Sequence, residues 1–146
     1  MFLVLLIHAA ATWFMVGLIW FVQIVHYPLF SSVGSDGFSA YEELHQRLTT
    51  WVVGPAMLIE LATGLWLLRW SESLDSRIVW LGLMLIAVIW LCTAIASVPA
   101  HNALQQKFSQ DAHRSLVSTN WIRTAAWSVR GILVLLMIRS LISVKS

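Results

Sequence analysis

The sequence predicts an all-α integral membrane four-helix bundle with up-down-up-down topology, and three observations lead there. Hydrophobic residues make up 59% of the 146 residues and charged residues only 11%, far from the balance of a soluble domain. Four apolar segments, at about Phe2–Val25, Trp51–Leu68, Ile78–Val98 and Trp121–Ile138, are each near the roughly 20 residues a helix needs to cross the hydrocarbon core. The connections between them are short, so residues 1–146 are expected to form a single membrane domain.

No Lys or Arg precedes the first segment, and its apolar run continues past Ala9–Ala11 to Val25. That pattern favours a mature membrane helix over a signal peptide. The segment ends in Gln23-Ile24-Val25-His26-Tyr27-Pro28, and the stretch Ser31–Gly37 reads as a turn with Ser35 or Asp36 available to cap the next helix. Phe38, Tyr41, Glu42 and His45 follow at helical spacing, which predicts an amphipathic lid running into the second span. Arg69–Arg77 reads as a short polar turn without evident chemistry. The third span holds Cys92, the sole cysteine, so no intrachain disulfide and no cysteine-based metal site is expected and packing is its natural role. Between the third and fourth spans, Ala100–Thr119 carries Lys107, Asp111, His113 and Arg114, a pattern expected of an interfacial helix.

Glu60 and Arg130 fall near the middle of the second and fourth spans. A charge at the bilayer centre costs roughly 2.5–3.5 kcal/mol, so such groups turn inward toward a partner or a cavity. Helical periodicity places Asn120, Arg123, Trp127 and Arg130 on one stripe of the last helix. Trp90, Thr93, Ser97 and His101 form a matching stripe on the third, and Glu60, Thr63, Gly64 and Leu67 one on the second. Alternating spans bring His26, His45 and His101 to one membrane face, while His8 and His113 are expected to lie apart. The stripes predict a polar pocket opening near His26 and His101 and narrowing toward Glu60 and Arg130. The plainer alternative is interhelical hydrogen-bond glue, with Gly64 and Gly131 allowing close packing and Glu60 with Arg130 forming a structural ion pair.

Of nine tryptophans, Trp51, Trp70, Trp80 and Trp121 sit at span ends, where amphipathic rings favour the headgroup region. Trp13, Trp20, Trp66 and Trp90 are expected to pack between helices, whereas Trp127 belongs to the polar stripe. The net charge of +2 gives no reason to expect nucleic acid. Arg69, Arg77, Arg139 and Lys145 flank one side and Arg47, Lys107 and Arg114 the other, with Arg123 a turn inside it. The balance leans toward cytoplasmic termini.

Three stretches carry a resemblance: Gly17-Leu18-Ile19-Trp20 through Pro28, Pro99-Ala100-His101-Asn102-Ala103-Leu104 after the third span, and a fourth helix containing Arg130. In order and spacing the chain resembles the small four-helix membrane family that includes the anthrone oxygenases. Pro99, Asn102, Leu104 and Arg130 match that family's pattern, and Trp127 or Asn120 stands where its last helix carries a histidine. The resemblance implies oxidation by oxygen of a hydrophobic, enolisable small molecule, without an obvious metal or flavin. Such chemistry needs a base, a role suited to neutral imidazole, and a group that stabilises the resulting anion, a role open to Arg130, Arg123 or Asn102.

His101, His26 and Arg130 are therefore the candidate catalytic residues, with His101 the preferred base. Asn102, Arg123, Trp127, Glu60, Asn120 and His45 are the candidate substrate-binding residues. No cofactor is implied by any motif, since there is neither a His-x-x-His pair nor a Cys-x-x-Cys-His haem-attachment signature. A metal or haem site assembled from His26, His45 and His101 on separate helices is the rival reading. A non-enzymatic membrane subunit, acting with a partner or as a homo-oligomer, is the third.

Overall fold

A helix does not stop where its side chains turn polar, because the backbone bonds are indifferent to that change; it stops where a residue leaves helical φ/ψ. Accordingly, in the computed structural model, which describes residues 1–143, every helix runs well beyond its apolar segment. The four are α1 (Phe2–Ser32), α2 (Ser35–Leu74), α3 (Ser76–Gln106) and α4 (Gln110–Ser143). All are long and apolar enough to cross a membrane by length and composition. No strand occurs among the described residues. Lys145, counted above among the flanking charges, lies outside them.

The breaks are brief. Between α1 and α2, Gly34 adopts φ 84°, a left-handed conformation that glycine tolerates. The turn expected over Ser31–Gly37 thus contracts to Val33–Gly34. Ser35 and Asp36 are already helical; Gly34 is the N-cap, no side chain caps α2, and Ser35 Oγ bonds Asp36 Oδ1 at 3.0 Å. The Arg69–Arg77 segment is largely 3₁₀ helix ending at Asp75, whose carboxylate accepts the Arg77 N–H at 3.0 Å and caps α3. The expected separate interfacial helix over Ala100–Thr119 is instead divided between the end of α3 and the start of α4, with the break at Lys107–Ser109.

Two π-helical turns interrupt the ladder, at Val22–His26 in α1 and Thr93–Ser97 in α3. Each closes with an N–H bonded five residues back, Tyr27 to Val22 and Val98 to Thr93, and in each the closing residue is followed by a proline, Pro28 or Pro99. Proline lacks the N–H and its ring crowds the carbonyl four residues earlier, so the wider turn relieves both problems. The extra residue also shifts the helix face. Gln23, His26, Thr93 and Ser97 all lie within these turns.

Apolar packing proceeds in three layers. Leu5, Leu67, Leu74, Val79, Met137 and Leu141 fill one end, where α1 begins and α2 finishes. Met15, Ile19, Met57, Ile89 and Trp127 fill the middle. At the other end Tyr27, Phe30, Phe38, Leu104 and Leu116 bring together the close of α1, the start of α2, the close of α3 and the start of α4. Gly64 makes one crossing possible: an added Cβ would lie 3.1 Å from Ile86 Cδ1 and 3.4 Å from His8 Cε1. The outer surface is apolar, with Leu3, Phe14, Ile24, Leu91 and Ile95 all exposed. So are Trp51, Trp70, Trp80 and Trp121.

Candidate functional site

The inward polar residues separate into two clusters of different character. The first, in the middle of the bundle, is closed. Arg130 donates to Glu60 Oε1 from Nε at 3.3 Å and from a terminal nitrogen at 3.0 Å. Thr12 donates to the same oxygen at 2.7 Å, and the Trp127 indole N–H donates to Oε2 at 2.8 Å. The guanidinium also reaches the Gly82 carbonyl at 2.6 Å and His8 Nε2 at 3.3 Å. Because Arg130 can only donate, His8 Nε2 accepts; Nδ1 then carries the ring proton and faces Thr63 Oγ1 at 2.7 Å. An opening of about 10 Å³ lies beside this cluster, enough for one water at most. Every group here is spoken for, which is how a buried ion pair offsets its desolvation.

The second cluster lies at the end where His26, His45 and His101 converge. Glu42, fully buried, faces His101 Nδ1 at 2.5 Å, and the Tyr27 hydroxyl meets His101 Nε2 at 2.9 Å. A carboxylate, an imidazole and a phenol thus stand in line. His26 Nε2 and His45 Nδ1 are 2.9 Å apart, so one ring must present a bare nitrogen to the other's N–H. Thr49 Oγ1 also approaches His45 Nδ1, at 3.2 Å. His113 Nε2 donates to the Tyr27 carbonyl at 2.7 Å and fixes the backbone on which the phenol is mounted.

A cavity of about 230 Å³ opens beside this line, with Tyr27, His45, Ser97, His101 and Arg123 as its polar wall and Met57 and Trp90 among its apolar one. Arg123 donates to Ser97 Oγ at 3.1 Å and to Asn120 Oδ1 at 3.2 Å, and its guanidinium lies 5.4 Å from the Trp127 ring. Neither ion pair among the described residues includes it. Among the described residues, two buried side-chain polar atoms lack a hydrogen-bond partner, Arg123 Nε and Glu42 Oε2. Both belong to this end of the bundle, not to the saturated centre.

Several placements differ from expectation. The single pocket narrowing from His101 to Arg130 does not form, because Trp127 and Asn120, both fully buried, close the space between the clusters. Trp127 is held by Glu60, and Asn120 donates to Gln23 Oε1 at 2.9 Å. Glu60 and Arg130 are therefore not part of the end cavity's wall, and Arg130 borders the small opening instead. Asn102, one residue and about 100° round the helix from His101, is exposed and faces away. His26 lines a separate groove between α1 and α2. His113 and His8 do not stand apart: His113 supports Tyr27, and His8 joins the central network. Trp90 is partly exposed at the cavity wall whereas Trp127 is wholly buried.

Sequence reasoning missed Glu42 and Tyr27 as site residues. Glu42 had a signal, since it shares the inward stripe of Phe38 and His45. Tyr27 had none, because the π turn decides where its ring points. Among the described residues no group of three or more His, Cys, Asp or Glu side chains is placed to hold a metal ion. Comparison with family models, with curated proteins and with solved structures gives no match for this chain.

Proposed function

We propose that the chain is a multi-pass, up-down-up-down membrane protein whose end cavity takes a hydrophobic, enolisable small molecule and removes a proton from it, the first step of its oxidation by dioxygen. The observation that carries this reading is the Glu42, His101 and Tyr27 line along the wall of a cavity that also holds Arg123. A carbon acid loses its proton readily only if a base receives the proton and a positive group stabilises the anion. His101 is the base, acting through the Tyr27 hydroxyl: the substrate proton reaches the phenol oxygen as the phenol's own proton passes to Nε2. Glu42 holds the ring by Nδ1 and stabilises the imidazolium. Arg123, not Arg130, faces the developing oxyanion, because Arg130 is committed to Glu60.

With dioxygen as oxidant the balance closes. The carbanion carbon bonds to oxygen, the resulting peroxide anion takes up a proton to give the hydroperoxide, and its O–O bond breaks as a second C–H proton leaves, the departing hydroxide and that proton forming water. A methylene and O₂ become a carbonyl and water. The family resemblance of the Pro99–Leu104 segment and of Arg130 supports the same chemistry.

The test is oxygen consumption by the purified protein with an enolisable aromatic such as an anthrone. His101→Gln retains an N–H for Glu42 but cannot serve as the base, and it is expected to abolish turnover; Tyr27→Phe is expected to lower it at least about 100-fold. Normal turnover by His101→Gln would remove the proposal. A stoichiometric metal or a haem band that His26 or His101 substitutions eliminate would replace it with a metal-centred reading.

A further inference from the structure

Arg123 is only 6% exposed, yet it donates to neutral acceptors, the Ser97 hydroxyl and the Asn120 amide oxygen. Among the described residues its Nε has no hydrogen-bond partner and no carboxylate pairs with it. A buried guanidinium without a counter-charge is costly, and the cavity it lines is the open space beside it. The missing partner is therefore an anion.

A second space adjoins the cavity. On the other side of α2 lies a groove of about 370 Å³ whose wall includes Leu18, Phe21, Leu44, Leu48 and Val52. His45, Thr49 and Val53 line both spaces, so one inward stripe of α2 separates them. The groove opens sideways: Phe21, Leu44, Leu48 and Val52 are each 45–55% exposed. Its capacity suits a hydrocarbon chain and offers such a chain nothing else.

Together these features define a site for a head and a tail. We infer that the protein binds a single-chain amphiphile with an anionic oxygen head, the head on Arg123 in the inner cavity and the tail in the groove between α1 and α2, reached laterally from the bilayer. The inference rests on the membrane reading above and names the ligand class of that site, with carboxylate and enolate sharing the same chemistry. His45, 2.9 Å from His26, belongs to the wall that the two compartments share.

The probe is a long-chain fatty acid bearing a photoreactive diazirine in its tail, offered to the protein in nanodiscs of uncharged phosphatidylcholine. Crosslinks are expected on the α1 and α2 residues of the groove. Unlabelled palmitate should compete, with methyl palmitate and hexadecylamine weaker by about tenfold or more. Arg123→Gln should erase the preference for acid over ester. Leu48→Trp, on the exposed rim where folding is undisturbed, should block labelling of the groove while leaving Arg123 in place. Equal competition by acid, ester and amine, or unchanged labelling in Leu48→Trp, overturns the inference. Arg123-dependent binding without oxygen consumption by any enolisable substrate leaves the binding site standing and removes the oxygenase; His101-dependent turnover without acid selectivity does the reverse.

Discussion

Glu60 and His101 show how the same problem, a polar group away from water, is met in two ways. Glu60 is satisfied on both oxygens by Arg130, Thr12 and Trp127, so removing one partner strands the rest. Glu60→Leu or Arg130→Met alone is expected to cost about 3–5 kcal/mol, and the double replacement less than the sum. Thermal and denaturant unfolding of the solubilised protein give that cycle; additive losses would exclude direct pairing. His101→Ala, by contrast with a surface substitution, is expected to lower the melting temperature, because it leaves the Glu42 carboxylate buried with neither oxygen bonded. Adding Glu42→Gln should recover part of that loss without recovering turnover. If His101→Ala unfolds at the wild-type temperature, the Glu42 contact contributes nothing to the fold.

Among the elements, helix crossings and helix faces are set by a few residues. Gly64 lets α2 approach Ile86, Leu83 and the His8 ring, so Gly64→Val is expected to cost about 1–3 kcal/mol through overpacking. Gly17, with nothing within 4 Å of a Cβ, serves as the control and should tolerate alanine, as unfolding measurements on the pair would show. The π turns have a functional consequence. Pro99→Ala restores the missing N–H and removes the ring, allowing α3 to revert to regular helix. A shift of about 100° in facing would then carry Ser97 away from Arg123 or His101 away from Tyr27. Activity should fall while stability is kept or raised; a crystal structure of the variant with the π turn intact would refute the causal role of the proline.

For the molecule as a whole, the proposed topology places the Val33–Gly34 and Lys107–Ser109 breaks on one side of a membrane and Asp75 with the N-terminus on the other. Single cysteines at Gly34, Ser109 and Ser73, introduced after Cys92→Ala, test this by labelling with an impermeant maleimide in oriented vesicles. Gly34 and Ser109 positions should label together and Ser73 oppositely. Joint labelling of all three would reject the four-span arrangement. The sign of the result also decides whether the termini are cytoplasmic, as the arginines at positions 69, 77 and 139 favour.

Four helices, their approximate places and the inward stripes were legible because lipid-crossing length and helical periodicity are local properties of the chain. Glu60 could be matched to Arg130 by depth alone, since rise per residue converts position into height. Helix ends were less legible: the apolar runs stop at Val25 and Val98, yet the backbone continues to Ser32 and Gln106, because polarity does not break a helix and it is Gly34 and the Lys107 region that leave helical geometry there. The candidate site was half legible. His45, His101 and Arg123 follow from periodicity, but Asn102 points outward and Glu42 and Tyr27 point in. Those directions depend on which face the π turns present and on which neighbour fills the space. Sequence therefore determined that polar groups must meet inside this bundle; only the tertiary structure decided that they meet as one sealed ion pair and one open cavity, since packing against Trp127 and Asn120 is a property of four helices together.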